Sequence, residues 1–215
     1  MVRWDPELDG YLHGPAAASE ATAQALAALA DPLVMVLVEG VSDQIAIDTL
    51  ARLRGRELTA QGVLVVPIGG AQAIARFRRE HPAVAAVGLC DAAERQLFVD
   101  ALGPADVFTC VPDLEGELLR AVGTTRVLAI VQEQGELRRF TTLSSQQAWV
   151  GTPVEARLRR FITSRARAKH RYARLLVEAA VELGRVPAAL DGVLSRAVPG
   201  ARPAPTGRGR RPSAP

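Results

Sequence analysis

The chain has 215 residues, of which 48% are hydrophobic and 23% are charged, so it can build a folded core and is not disordered throughout. No run of 18 apolar residues predicts a membrane span, and the acidic start MVRWDPELDG does not resemble a secretion signal, so we expect a cytoplasmic protein. Cys90 and Cys110 each end an apolar run. Two cysteines are too few for a disulfide framework, and their positions predict buried, reduced thiols.

Charge divides the chain into an acidic part and a basic part. Residues 1–150 contain 12 Arg against 19 Asp and Glu, a net charge of −7. Residues 151–215 contain 13 Arg and one Lys against four acids, a net charge of +10. This asymmetry is typical of carboxylate chemistry beside a polyanion-binding surface, although two solvated surfaces that attract each other would give the same counts.

Four apolar runs of strand length alternate with helical patterns along the first part of the chain. The strand runs are 33–39, 63–68, 84–90 and 106–111. The helical patterns are 15–30, 41–54, 71–80, 92–102, 113–122, 153–183 with a break near Ser164, and 187–197. Residues 126–131 fit either a further strand or the start of a helix. Strands that are apolar on both faces and alternate with helices predict an α/β fold in which helices flank a parallel sheet.

The same pattern predicts four segments along the chain. They are an N-terminal helical segment at 1–32, an α/β domain at 33–125, a helical C-terminal extension at 126–198 and a disordered basic tail at 199–215. The tail contains five Pro, three Gly, four Arg and no acid, which is typical of disorder. It serves either as a solubilising tail or as an accessory nucleic-acid-binding segment.

Six carboxylates follow three of the predicted strands. Because the strand-to-helix loops of a parallel sheet meet at one edge, we expect these side chains to lie close together. All-oxygen clusters suit hard cations such as Mg²⁺ or Mn²⁺, and two such ions can clamp the oxygens of a phosphodiester. Asp91 and Asp113 could instead simply cap helices. Glu39 ends an apolar strand, where a carboxylate is expected to be partly buried and therefore to need a partner. The six are Glu39, Asp43, Asp91, Glu94, Asp113 and Glu115.

Three segments that contain the predicted acids form a recognisable pattern: VLVEGVSDQIAI (36–47), LCDAAE (89–94) and PDLEGELLRAVG (112–123). Together they resemble a Toprim domain, and in particular the Toprim half of the OLD (overcoming lysogenization defect) nucleases. RAKHRYARLLVEAA (167–180) and GRVPAAL (184–190) are similar to the C-terminal segment of actinobacterial Toprim proteins of this type. The resemblance covers about residues 33–195 and implies a Toprim domain at 33–125.

The resemblance implies an endonuclease that hydrolyses DNA phosphodiesters with Mg²⁺ or Mn²⁺. By position, Glu39 would be a metal ligand or a general acid/base, and Lys169 would stabilise charge on the transferring phosphate. The remaining positions would hold the metal or orient its water: Asp43, Asp91, Asp113 and Glu115.

The sequence departs from the family pattern in two places. Toprim domains usually carry Asp-x-Asp after the third strand, but Ala93 occupies the second position here. Glu94, one residue further on, would have to reach the metal in its place, so one-metal chemistry or lost activity stays open. The larger OLD proteins also carry an ATPase of the ABC type, and this sequence has no phosphate-binding G-x-x-x-x-G-K-[ST] motif. We therefore expect a free-standing Toprim protein or one that uses an ATPase subunit in trans, and a homodimer remains open.

Residues 157–174 contain eight Lys and Arg residues and no acid. On a helix, Lys169 falls beside the core-facing stripe that contains Ile162 and Tyr172, so we expect its ammonium group to face the acidic edge. It would either stabilise a phosphate, extend past the apolar surface to solvent, or form a structural ion pair with one of the carboxylates. The arginines are expected to contact DNA phosphates without reading sequence. They are Arg157, Arg159, Arg160, Arg165, Arg167 and Arg171.

The sequence leaves two functions open. One is the metal-dependent DNA endonuclease. The other is a catalytically degenerate Toprim module with a nucleic-acid-binding or regulatory role, or a subunit of an ATPase–nuclease complex. The alanine at position 93 favours the degenerate module. A primase-like role has no supporting zinc motif.

Overall fold

The computed structural model describes residues 17–199, which form four strands and ten α-helices. The strands are β1 (Val34–Val38), β2 (Val63–Pro67), β3 (Ala85–Asp91) and β4 (Val107–Cys110). The helices are α1 (Ala17–Ala27), α2 (Val41–Leu53), α3 (Ile74–Glu80), α4 (Arg95–Leu102), α5 (Leu114–Val122), α6 (Thr124–Glu133), α7 (Leu137–Ser144), α8 (Val154–Thr163), α9 (Ala166–Glu182) and α10 (Ala188–Arg196).

The strands form one parallel sheet in the order β2-β1-β3-β4. In this register Val36 of β1 lies between Val65 of β2 and Val87 of β3. β1 and β3 are therefore neighbours at the centre of the sheet, and their carboxyl ends lie side by side. The predicted α/β fold with a parallel sheet is confirmed.

Alternate residues of the strands build two cores, one on each face of the sheet. On one face Met35 and Leu37 pack with side chains of α1, α3 and α4. On the other face Val36 and Val38 pack with side chains of α2 and of all helices from α5 to α10. The C-terminal helices thus share a hydrophobic core with the sheet, which fixes their position relative to the strand ends.

The helical segments differ from the sequence prediction in a few places. The ambiguous residues 126–131 are helical and lie within α6. The long pattern at 153–183 breaks at Ser164, between α8 and α9, as predicted. Helix α7 was not predicted, because it is only eight residues long and buries a single large side chain, Phe140. The predicted irregular residues 1–14, the start of the first helix and the predicted disordered tail from residue 200 lie outside the described residues.

The two cysteines are buried free thiols, as predicted. Burial raises the pKa of Cys90 to about 12 and raises that of Cys110 as well, so neither thiol forms a thiolate at neutral pH. None of the described helices combines the length and the apolar character needed to cross a lipid bilayer.

Gly88 in β3 is required by close packing. A Cβ at this position would lie 2.5 Å from Phe98 Cδ1 and 2.8 Å from Leu102 Cδ1. We expect Gly88→Ala to lower the free energy of unfolding by about 1–3 kcal/mol, because overpacking forces the core to shift. Urea denaturation followed by circular dichroism measures the change.

Gly40→Ala provides the matched control for this substitution. Gly40 has extended backbone angles (φ −148°, ψ 179°), and a Cβ there would lie 3.9 Å from its nearest neighbour. The free energy of unfolding should stay the same or rise by less than about 1 kcal/mol. Equal losses in the two variants would show that the packing around Gly88 is not the constraint.

Candidate functional site

Glu39 joins the ends of the two central strands. It follows β1 directly, and its Oε1 accepts a hydrogen bond from the backbone N–H of Asp91 at the end of β3, at 3.0 Å. Burial raises the pKa of Glu39, and the charges of Glu94 and Glu115 add to this effect, whereas the Asp91 amide and Lys169 oppose it. The partner that a carboxylate at the end of an apolar strand requires is therefore a neighbouring backbone amide.

Asp43 lies in the first turn of α2, the helix that begins directly after Glu39 and Gly40. Its Oδ2 accepts a hydrogen bond from the Gly40 N–H at 2.9 Å, which fixes the start of the helix. The pKa of Asp43 is raised to about 7, mainly by burial; the charge of Lys169 opposes this increase, and that of Glu115 contributes to it. This carboxyl is thus a helix-capping group that also lies within the electrostatic reach of the α5 and α9 side chains.

Asp91 ends β3 and holds the start of α5. Its Oδ1 accepts a hydrogen bond from the Leu114 N–H at 3.2 Å. Burial raises the pKa of Asp91 to about 7. Nearby carboxylates from the loops after β1 and β4 contribute to this increase: Asp43, Glu39, Asp113 and Glu115. The carboxylates that the sequence places after separate strands therefore do meet at one edge of the sheet.

Asp113 is the N-cap of α5, as its alternative interpretation predicted. Its Oδ1 accepts the Gly116 N–H at 2.8 Å. The Arg159 guanidinium of α8 donates to the same carboxylate, with Nε 2.8 Å from Oδ2, and Nη2 also contacts Oδ2. Asp113 raises the pKa of Arg159 in return. Any cation at Asp113 would have to share its oxygens with Arg159.

Glu115 and Lys169 form the most buried charged pair of the acidic edge. Only 4% of Glu115 is exposed, and the ammonium Nζ of Lys169 lies 3.3 Å from its Oε1. This Oε1 is buried and accepts no hydrogen bond of normal geometry. Burial lowers the pKa of Lys169, but the charges of Glu115, Asp43 and Asp91 outweigh it and leave the pKa above its ordinary value. Lys169 therefore stays protonated beside the carboxylates.

Helix α9 holds Lys169 at this edge through its buried side chains. Tyr172 and Leu176, on the same side of the helix, are fully buried. α9 packs against α2 and α5, the helices that carry Asp43 and Glu115. The structure thus places Lys169 where its position on the core-facing stripe predicts, opposite the acidic edge.

The chemistry of this donor set fits a hard divalent cation. All the available groups are carboxylate oxygens, and Glu115 Oε1 is buried without a hydrogen bond of normal geometry. Within residues 17–199, however, no three or more Asp, Glu, His or Cys side chains are arranged closely enough to hold a metal ion. Glu94 is half-buried and lies near enough to raise the pKa of Glu39. The edge therefore contains suitable ligand atoms, but in this structure the described side chains are not arranged in a coordination geometry.

The six arginines predicted to contact DNA differ in their surroundings. Arg160, Arg165 and Arg167 are exposed, and Arg157 is half-buried. Arg159 is half-exposed but pairs with Asp113.

The prediction that Arg171 lies on the DNA-binding surface is wrong. It is 8% exposed, and its Nη2 donates to Glu136 Oε2 at 2.7 Å. Glu136 also accepts the Tyr172 hydroxyl at 2.9 Å and pairs with Arg139. Arg171 therefore belongs to a buried ion network in the C-terminal helices and is not available to phosphates.

Glu136 and the arginines near it were not predicted from the sequence. Glu136 lies 35 residues before Arg171, and nothing in the local pattern connects them. Arg138 and Arg139 lie on α7, which was not predicted as a helix. The one available signal was this adjacent pair of arginines in the otherwise uncharged stretch 137–154.

Comparisons with known proteins find a matching family model and solved structures with a similar fold. A family model described as "Overcoming lysogenization defect protein-like, TOPRIM domain" matches residues 34–80. The C-terminal region of the Burkholderia pseudomallei OLD protein is 16% identical, with a TM-score of 0.56, covering 77% of this chain and 97% of that one. The C-terminal region of the Xanthomonas campestris pv. campestris OLD protein is 23% identical, with a TM-score of 0.56, covering 79% and 93%. A comparison with curated protein sequences finds no match.

The fold and the acidic edge define a Toprim-fold protein. The matched β1–α2 region contains Glu39 and Asp43, and the similar structures extend over most of the chain. The protein resembles the C-terminal regions of OLD proteins, as its sequence motifs predicted.

Replacing Arg171 and Arg167 separates the buried network from the surface. Arg171→Ala should lower the free energy of unfolding by about 2–3 kcal/mol, because it removes a buried donor from the Glu136 carboxylate. Arg167→Ala, at an exposed position on the same helix, should change it by less than about 0.5 kcal/mol. Chemical denaturation of both variants measures the difference, and similar effects would contradict the assignment.

The raised pKa values of Asp43 and Asp91 predict how the stability of the metal-free protein depends on pH. Both are about 7 in the folded state, against about 3.9 in the unfolded chain, so between these values the folded protein binds more protons. Their contribution therefore lowers the free energy of unfolding as the pH rises from about 4 to about 7. Urea denaturation in EDTA between pH 5 and pH 8 measures this slope.

Asp43→Asn should make that slope less negative, because the titrating group is removed while the side chain can still accept the Gly40 N–H. Asp31→Asn, at an exposed position before β1, is the control and should leave the slope unchanged. An unchanged slope in Asp43→Asn would show that the carboxyl is not destabilised in the folded state.

Proposed function

We propose that the protein is a metal-dependent nuclease that hydrolyses DNA phosphodiesters at the carboxyl edge of its sheet. The observation that carries the proposal is the meeting of carboxylates from three loops around Glu115, whose buried Oε1 accepts no hydrogen bond of normal geometry, opposite Lys169. The resemblance to the C-terminal regions of OLD proteins supports the same function. We also propose that the protein acts in the cytoplasm.

Mg²⁺ or Mn²⁺ would be held by Glu39, Asp91 and Glu115, with Asp43 and Glu94 as further ligands or as groups that orient water. When bound, the cation supplies Lewis-acid polarisation of the phosphoryl oxygens and a more acidic water molecule. It would also stabilise the charged forms of Asp43 and Asp91, whose pKa values are raised by burial first and by neighbouring carboxylates second.

The protein groups have separate roles in this proposal. Lys169 stays protonated and would stabilise the negative charge that develops on the phosphate. Glu39 has a raised pKa, which suits a group that accepts or returns a proton. Arg159 fixes Asp113, and through it the start of α5, which carries Glu115.

DNA would approach over the exposed basic residues of α8 and α9. We propose that Arg157, Arg160, Arg165 and Arg167 contact its phosphates. These contacts are electrostatic and do not select a sequence. An ATPase subunit in trans and a homodimer remain proposals about assembly.

A second candidate is a Toprim module that binds nucleic acid without hydrolysing it. Two observations favour it: Ala93 occupies the position of the usual second aspartate, and the carboxylates of the described residues do not form a closed metal cage. Metal-dependent DNA binding without strand cleavage would distinguish this module from the nuclease.

Plasmid nicking tests the proposed hydrolysis. Supercoiled DNA is incubated with the protein and Mg²⁺ or Mn²⁺, and relaxed circles are measured over time. Glu39→Ala and Lys169→Ala should each reduce the rate about 100-fold or more, because each removes a group that acts on the developing charge. Glu80→Ala, at an exposed position on the opposite face of the sheet, should cleave like the wild type.

The result that contradicts the proposal is equally specific. Nicking that persists at the wild-type rate in both Glu39→Ala and Lys169→Ala would come from a contaminating nuclease. Absence of nicking by the wild type, with metal-dependent DNA binding retained, would favour the non-hydrolytic module.

A further inference from the structure

A cleft of about 380 Å³ lies among α7, the end of α8 and the start of α9. Three arginines line it: Arg138 and Arg139 lie on α7, and Arg165 lies at the junction of α8 and α9. None of the lining residues is acidic, and the others are Thr142, Leu143, Gln146, Phe161 and Ser164. The cleft is separate from the carboxylates and carries the opposite charge.

The three guanidinium groups of this cleft are not equally neutralised. Arg139 pairs with Glu136 and lies over the Phe161 ring, 5.6 Å from its centroid. Arg138 and Arg165 are exposed and make no ion pair with any residue between 17 and 199. Cations that converge in one concavity repel each other unless an anion joins them, so the cleft favours a bound anion.

The N-terminus of α9 adds to the positive potential of the cleft. Arg165 is its N-cap residue, no side chain caps the helix, and its first turn contains no acid. Ser164 Oγ donates instead to the Phe161 carbonyl, at 2.8 Å. The free backbone N–H groups and the helix dipole at this end therefore act together with the arginines.

The chemistry of the lining selects phosphate groups over nucleobases. Guanidinium groups and the Gln146 amide are donors that match phosphate oxygens. Phe161 cannot serve as a stacking platform, because it is 3% exposed and Arg139 covers its ring. The cleft thus fits a phosphate that is recognised by charge, without contact to a base.

We propose that this cleft binds a backbone phosphate of the DNA strand that reaches the acidic edge. The location rests on the proposed function, because Arg165 and Lys169 lie four residues apart on α9, about 6 Å along its axis. The same helix thereby presents a phosphate anchor at its N-cap and the proposed phosphate-stabilising lysine one turn later. Arg138 and Arg139 extend the predicted binding surface onto α7.

Salt-dependent DNA binding tests the cleft without requiring catalysis. A short fluorescein-labelled duplex is titrated with the full chain in EDTA, and the anisotropy gives the binding constant at several salt concentrations. Each lost phosphate contact reduces the slope of log K against log salt by about 0.9. Because both arginines are proposed to bind the same phosphate, Arg138→Ala/Arg165→Ala should reduce its magnitude by about 0.9.

Arg76→Ala/Arg79→Ala is the matched control, because it removes the same charge from α3 on the opposite face of the sheet. It should leave the slope close to that of the wild type. Equal slopes in all three proteins, equal reductions in both variants, or no binding by the wild type would overturn the proposal. Circular dichroism confirms that both variants are folded.

Two further measurements separate the possible outcomes. Millimolar AMP that displaces the duplex from the wild type would make a free nucleotide the occupant and overturn the backbone assignment. A wild type that shows the expected slopes but never nicks DNA with Mg²⁺ would overturn the proposed hydrolysis and leave the cleft supported. Normal nicking by the wild type, together with an unchanged salt slope in Arg138→Ala/Arg165→Ala, would overturn the cleft and leave the proposed hydrolysis supported.

Discussion

The burial of neighbouring carboxylates at one edge of the sheet is the constraint on which this structure depends. β1 and β3 are neighbours, so the acids that follow them cannot avoid each other once the sheet forms. The pKa values of Asp43 and Asp91, both about 7, express the cost of keeping these groups charged. Natural proteins tolerate such a cost mainly at functional sites, where a bound cation or a substrate offsets it.

The C-terminal helices are part of the site because they provide its positive charges. Lys169 of α9 lies beside Glu115, and Arg159 of α8 lies beside Asp113. Both helices pack into the core that also covers one face of the sheet. The acidic and basic parts of the sequence therefore meet at the edge. The two parts are therefore not simply two solvated surfaces of opposite charge. They form partly buried ion pairs, Lys169 with Glu115 and Arg159 with Asp113.

Sequence could predict the sheet and the location of the acids because both follow from short-range patterns and a topological rule. The apolar runs gave the strands, and the right-handed crossover placed the loops at one edge. It could not predict which acids already have partners. Asp113 is shared by the Gly116 amide and Arg159, a residue 46 positions away, and that pairing exists only in the folded chain.

The basic segment shows the same limit. Residues 157–174 read as one charged surface, but α9 turns Arg171 into the core while leaving Arg167 outside. The buried partner of Arg171, Glu136, is distant in sequence and lies just before α7, a helix too short to give a clear apolar pattern. The alanine at position 93 can be read from the sequence. Its effect on metal binding cannot, because that depends on where Glu39, Asp91 and Glu115 lie when a cation is bound.

The most direct test of the central claim is to locate the cation. Crystals of the protein are soaked in Mn²⁺, and the anomalous scattering of the metal is mapped. We predict a peak within coordination distance of Glu115 and of at least one of Glu39 and Asp91, with Lys169 facing it. Mn²⁺ bound at other positions while these three carboxylates remain without metal would contradict the claim.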